Sequence, residues 1–263
     1  MQPLFMQLLK LCHAGLNYGG GQSPADSGEV GALEFVRNAL GSSRSIVLFD
    51  IGANDGEYLH YALRIFGNQV KAYSFEPQSA SYERLHARFA SDSRVELRKA
   101  AVGKEVGMAD LFFGKDGETT ASLHCNAAQG QSVSEVVLLT TVDQICDENA
   151  IDHIDLLKID TEGHEMEVLL GATAMIEAGR ISSVQLEFGD TFLYTQYHFL
   201  DLWKLLSPRY TIYRILRHGL VELPCYSPDL EIYKIANFLC LQKLEVAPQI
   251  SRLREPGSGR NAQ

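Results

Sequence analysis

The sequence predicts an α/β fold, a doubly wound and mostly parallel seven-stranded sheet with a C-terminal antiparallel hairpin. Three observations predict it. Apolar, β-branched runs alternate with amphipathic helical stretches, as in successive βαβ units. Seven such runs occur, "IVLFDIG", "VKAYSFEP", "VELRKAAVG", "IDLLKID", "ISSVQLEFG", "YTIYRI" and "NFLCLQK". The last two are joined by a turn-rich stretch with no long helical pattern, which suits a hairpin better than a crossover.

The elements follow in order. Residues 1–44 read as a helical extension. The apolar start "MQPLFMQLLKLC" lacks a basic lead and a small-residue cleavage site, so it is a helix rather than a signal peptide. Leu16 to Ser27 is a loop, after which Asp26 with Glu29 resembles a capping box opening a helix through Leu40. The main domain spans 45–247. Its first strand leads into "EYLHYALRIFGN", a helix that stops at Gly67-Asn68. Pro77 ends the second strand, and the next helix puts Tyr82, Leu85 and Phe89 on one stripe. Between 103 and 141 the pattern changes. Two β-like pieces flank the polar stretch "KDGETTASLHCNAAQGQS", which reads as a hairpin insertion with a lid-like loop. "EGHEMEVLLGATAMIEAG" is one helix ending at Gly179, and another around 197–206 carries Trp203 as a core aromatic. Residues 248–263 form a polar tail expected to fray.

Composition excludes several classes. The chain has 263 residues, 46% of them hydrophobic, enough for one large core. A net charge of −10 opposes a phosphate-tracking surface, so no nucleic-acid partner is expected. No apolar run approaches the ~20 residues that span a bilayer, and no membrane insertion is expected. Five scattered cysteines without a CxxC pair indicate reduced thiols and a cytoplasmic location.

The chemistry concentrates at "DIGANDG". Asp50 closes the first strand, Gly52 and Gly56 permit a tight turn, and Asn54 tolerates positive φ. The spacing is GxxxG, not the GxGxxG that seats a pyrophosphate. A carboxylate at that strand end suits an ammonium or sulfonium and repels a diphosphate. Glu76, at the end of the second strand, can accept both hydroxyls of a ribose. Two acids, a nucleoside and a cation together indicate S-adenosylmethionine as cofactor.

A second stretch, "IDLLKIDTEGHEMEVLLGA", follows "VLFDIGANDGEY", "YSFEPQ" and "LRKAAVG" in order. From about Val47 to Glu187 the chain resembles the FkbM-type methyltransferase family. The resemblance implies a class I methyltransferase (Rossmann-like) fold, S-adenosylmethionine, and methylation of hydroxyls on sugars or natural products. It implies cofactor roles for Asp50, Gly52, Asn54, Gly56 and Glu76, with Ala53 and Asp55 completing the corner. By position it sets Ala101 and Val102 near the adenine.

Asp160, Glu162, His164 and Glu165 crowd the turn after the fourth strand. Asp160 can hold the methionine ammonium or a substrate hydroxyl, and Glu162 a substrate group. Glu162 and Glu165 equally suit helix capping. His164 is the first choice of general base because imidazole titrates near neutrality. Glu187, ending the fifth strand, is its rival. Ser122 and His124 in the lid are candidate substrate contacts. No metal is expected: "HEMEV" lacks the second histidine of HExxH, and a Mg²⁺ set of Asp160, Glu162 and Glu187 ranks below a metal-free site. The expected function is O-methyl transfer to a small hydroxylated acceptor. A non-catalytic cofactor-binding subunit or sensor, and a nicotinamide oxidoreductase, are the alternatives.

Overall fold

The computed structural model describes residues 2–21, 23–41, 45–114, 121–124 and 133–243. The main sheet contains β1 (Ile46–Ile51), β2 (Val70–Phe75), β3 (Val95–Arg98), β7 (Leu156–Ile159), β8 (Ser183–Phe188), β9 (Tyr210–Leu216), β10 (Gly219–Leu223) and β11 (Ala236–Gln242). Its order is β10-β9-β11-β8-β7-β1-β2-β3. The strands from β3 to β8 run parallel, while β11 is antiparallel to both β8 and β9. The sheet is therefore mostly parallel with an antiparallel C-terminal end, as expected, but it has eight strands and not seven. The extra one is β10, an edge strand in the segment read as turns. Its "GLVEL" faces solvent along most of its length, so no buried alternation announces it.

Period-two alternation sorts β1 between two cores. Ile46 and Leu48 join a cluster with Leu33 and Val36 of α3 (Glu29–Leu40), Leu59 and Leu63 of α4 (Glu57–Phe66), and Leu85 and Phe89 of α5 (Ser79–Phe89). Phe49 and Ile51 face the other side. There they pack with residues of α6 (Val142–Glu148), α7 (Glu165–Leu170), α8 (Thr173–Glu177) and α9 (Phe199–Leu206). Burial on both faces explains why β1 and β7 read as nearly continuous apolar runs.

Three local expectations change. "VELRKAAVG" is not one strand. β3 stays in the main sheet, while β4 (Ala101–Val102) pairs with β6 (Val133–Thr140), which in turn pairs with β5 (Gly107–Phe113), making a separate three-stranded sheet. The long helix through Gly179 breaks into α7 and α8 at Gly171, where a Cβ would lie 1.9 Å from the Gly103 carbonyl oxygen. The Asp26–Glu29 capping box does not form. Gly28, where a Cβ would meet the Leu216 carbonyl at 2.2 Å, separates the short α2 (Pro24–Ser27) from α3. The N-terminal helix α1 (Gln2–Gly15) forms and buries none of its residues. Most of the predicted lid loop and the tail from 248 lie outside the described residues. Among the described residues no helix is long and apolar enough to cross a membrane, and Cys12, Cys146, Cys225 and Cys240 are free thiols.

Candidate functional site

The alternation that places Ile46 and Leu48 on the α3–α4 side places Asp50 there as well, at the strand tip. In register, Asp50 stands opposite Ser74 on β2 and Lys158 on β7, and Lys158 stands opposite Gln185 on β8. All four are buried, so the sheet carries a polar row through its middle. Buried polar groups must find partners. The Lys158 ammonium lies 2.9 Å from Asp160 Oδ2 and 3.6 Å from Glu29 Oε1, above the Tyr58 ring. Gln185 donates to Glu29 Oε1 at 2.8 Å and accepts from the Tyr58 hydroxyl at 3.0 Å. Glu29, Lys158, Gln185 and Tyr58 were not anticipated as site residues. The available signal was a lysine inside the apolar strand "LLKID", which has to be charge-paired.

Three buried polar atoms around the cleft have no hydrogen-bond partner among the described residues: Asp50 Oδ2, Asn54 Oδ1 and Gln78 Nε2. Gln78 otherwise accepts from Ser81, and Asn54 sits at φ +49°. Glu76 accepts the backbone N–H of Asn54 through Oε2 and that of Gln78 through Oε1, both at 2.8 Å. This fixes the carboxylate plane and leaves each oxygen a second lone pair. Burial pushes both Asp50 and Glu76 up to about 7. For Asp50 the Lys158 ammonium opposes that rise, while Asp160 and Glu29 add to it.

These residues border two hollows that share Gly52, Asn54 and Asp160. The first, a cavity of about 160 Å³, is lined by Glu76, Gln78, Ala101 and Val102, with Leu111 and Leu123 from the insertion closing an apolar slot. The second, of about 190 Å³, holds Asp50, Lys158, Asp160 and Glu187. A two-part ligand with a polar nucleoside end and a cationic end fits this pair of hollows. The apolar slot and the Glu76 oxygens match the nucleoside end, and the acids of the second hollow match the cation. The three unpartnered atoms offer it hydrogen bonds.

The corner residues divide by task. A Cβ on Gly52, at φ +80°, would stand 1.8 Å from the Asp160 carbonyl oxygen, so this glycine lets the β1 and β7 turns touch. Gly56 serves packing, since a Cβ there would meet Phe89 at 2.5 Å and Leu85 at 2.6 Å. Ala53 belongs to the apolar core. Asp55 pairs with Arg88 at the surface, 3.5 Å apart.

The second cluster is held by Glu165. Its carboxylate accepts the Thr161 amide at 2.8 Å, the Thr161 hydroxyl at 3.1 Å and the Gly163 amide at 3.1 Å, locking the turn in which Glu162 (φ +54°) and Gly163 (φ +103°) are both left-handed. Positive φ at a non-glycine residue such as Glu162 is uncommon. Glu162 is pushed up to about 8 by burial and by Asp160, and burial with the same neighbour drives Glu187 well above the usual carboxylate range. Burial, with His124 alongside, holds His164 down to about 3, so its imidazole is neutral. The Ser122 hydroxyl donates to the Glu162 carbonyl at 2.8 Å and accepts the His124 amide at 3.2 Å, which ties the insertion to the turn. His124 faces His164, with ring centroids 5.4 Å apart.

The model of the methyltransferase FkbM domain matches residues 50–215, from the first acidic strand tip through β9. The chain belongs to the FkbM methyltransferase family. A relative is the hexuronic acid methyltransferase AglP of Haloferax volcanii, 23% identical over 145 residues, which cover 54% of this chain and 56% of AglP. The chain thus spans little more than half of that relative's length. The crystal structure of the methyltransferase FkbM from Methylobacillus flagellatus superposes with a TM-score of 0.48 at 18% identity, covering 74% of this chain and 43% of that one. A putative O-methyltransferase from Klebsiella pneumoniae superposes at 0.45 and 10% identity, with coverages of 81% and 80%. These superpositions are loose, and membership rests on the match to residues 50–215.

Proposed function

We propose that this FkbM-family protein is an S-adenosylmethionine-dependent O-methyltransferase that methylates a hydroxyl of a sugar or related natural product. The observation that carries the reading is the set of unpartnered buried atoms, Asp50 Oδ2, Asn54 Oδ1 and Gln78 Nε2, bordering two adjoining hollows, the first of them lined by Glu76. In this reading Glu76 holds the ribose hydroxyls. Ala101, Val102, Leu111 and Leu123 sandwich the adenine, with Gln78 at its edge. Asp50 and Asp160 face the ammonium and sulfonium. When bound, the cofactor supplies a methyl carbon already activated by its sulfonium. A sugar acceptor is supported by the name of the AglP relative and by the carboxylates at the second hollow.

The protein's own task is then alignment, worth an effective molarity up to ~10⁵ M or more, and proton removal. We assign the base to Glu187 ahead of His164. A carboxyl group whose pKa lies above the ordinary range is a stronger base once ionised, whereas an imidazole held near 3 takes a proton poorly. Beside a sulfonium, Glu187 and Glu162 lose their protons more readily, because the cation offsets the repulsion that the Asp160 carboxylate adds to their burial. Glu187 takes the acceptor hydroxyl's proton as the oxygen attacks, and Glu162 positions the acceptor. His164 and Ser122 hold the walls. We also read residues 45–247 as the catalytic domain and its place of action as the cytoplasm.

Thermal shift and turnover test this reading together. S-adenosylhomocysteine at 100 times its dissociation constant should stabilise the chain by ~2.7 kcal/mol, and NAD should not. A labelled methyl group should pass to at least one member of a panel of neutral and acidic sugars. A shift with NAD alone overturns the reading in favour of an oxidoreductase. Binding without transfer to any hydroxyl moves it to a sensor.

A further inference from the structure

At the wall of the cofactor cleft, among the described residues, one group of metal-type donors converges: His124, His164 and Glu167. His164 Nδ1 lies 3.3 Å from His124 Nε2 and 3.7 Å from Glu167 Oε2, and the three donor atoms all lie within 4.8 Å of one another. A four-coordinate zinc ion with bonds of about 2.0–2.2 Å has ligand–ligand edges of about 3.3–3.6 Å. Two of the three edges already approach that spacing.

A second observation is independent of the spacing. Glu167 is 7% exposed, and its Oε2 has no hydrogen-bond partner among the described residues. A buried carboxylate oxygen left unpartnered is costly, and here it points toward two imidazole nitrogens. Without a cation, only a proton on one ring can join the two histidines. With a cation, both rings turn lone pairs to the same point and the orphaned oxygen is satisfied. The exposed Lys104 is the other cation near this carboxylate and makes no ion pair with it within 4 Å.

We propose that His124, His164 and Glu167 form a binding site for a zinc-type divalent cation, which staples the β5–β6 insertion to the start of α7. The donor set favours zinc over calcium or magnesium, which take six or more oxygen donors or retain several waters. The sequence gives no spacing signal, because His124 comes from the insertion while "HEME" offers only one histidine and one properly placed glutamate. Three protein ligands leave a fourth position for water or an acceptor oxygen, and His164 also lines the cleft. The staple would therefore hold Leu123 over the nucleoside slot.

The test uses the full chain stripped with a chelator. Zn²⁺ is titrated by calorimetry and Co²⁺ by visible absorption. The expected result is one Zn²⁺ per chain and a four-coordinate Co²⁺ band without strong thiolate charge transfer. Glu167→Gln and His124→Ala should each weaken Zn²⁺ at least about tenfold, with circular dichroism confirming the fold. His124 is half-buried on the insertion, so its variant remains informative if His164→Ala fails to fold. Absence of Zn²⁺ binding, binding unchanged in both variants, or a thiolate spectrum from the exposed Cys12 or Cys225 would overturn the proposal. A chain that binds S-adenosylhomocysteine but no Zn²⁺ refutes the staple and leaves the methyltransferase reading intact. A chain that binds Zn²⁺ but not S-adenosylhomocysteine does the reverse.

Discussion

Asp50 and Lys158 stand opposite each other on the adjacent parallel strands β1 and β7, both buried. The ammonium is not theirs alone. It is shared with Asp160 and Glu29, so one lysine balances carboxylates from β1, the β7 turn and α3.

Lys158→Met tests that balance. Removing one member of a buried ionic set strands the others, at a typical cost of about 3–5 kcal/mol. Urea unfolding should show a loss of this size with an unchanged m-value. A loss below about 1 kcal/mol would mean that water already reaches the acids.

The apoprotein should lose stability as pH rises. Asp50 goes from 3.8 to about 7 on folding, and Glu76 from 4.5 to about 7. Each is raised, so the folded chain binds more protons than the unfolded chain between those values. The stability they contribute is full below pH 4 and lost as pH passes through 7. Melting temperatures measured from pH 5 to 8 should fall, and the slope should flatten in Asp50→Asn and Glu76→Gln. An equal slope in all three proteins would mean other groups set it.

Gly52→Ala addresses the touching turns. The new methyl group would meet backbone, not a yielding side chain, and the residue would keep positive φ. We expect a loss of about 1–3 kcal/mol together with weakened S-adenosylhomocysteine binding in calorimetry. Normal binding would show that the turns can separate without disturbing the cleft.

Glu187→Gln should lower kcat by ~10²–10⁴ with near-normal cofactor affinity, the usual contribution of a general base. Single-turnover kinetics would separate this from slow product release. If His164→Asn, and not Glu187→Gln, produces the drop, the base assignment moves to the histidine.

Much of this arrangement could be read from the residues, and the parts that could not share a cause. An acid ending an apolar run is a local signal, and Asp50, Glu76 and Asp160 do lie at or just past the ends of β1, β2 and β7. The spacing of Glu29 from Asp26 suits a capping box, yet α3 is capped by Gly28. Glu29's actual partners, Lys158 and Gln185, are brought near only by the completed sheet. Gly56 looked like a ligand-contact glycine, yet the atoms that exclude a side chain there belong to Leu85 and Phe89 on the next helix. The break at Gly171 likewise depends on Gly103, which no helical periodicity can report. Local chemistry was legible, and contacts between distant segments were not.

The sheet order also bears on how the chain can be cut and how it forms. β11, the last strand in sequence among the described residues, lies between β8 and β9, so β9 and β10 reach the parallel strands only through it. A fragment trimmed to the family-matched span 50–215 would lack both that wedge and the Glu29 carboxylate beneath Lys158. Recombinant truncations and fusion points should therefore keep everything from α2 to Gln242. A nascent chain still on the ribosome must hold its β9–β10 hairpin in waiting until β11 emerges.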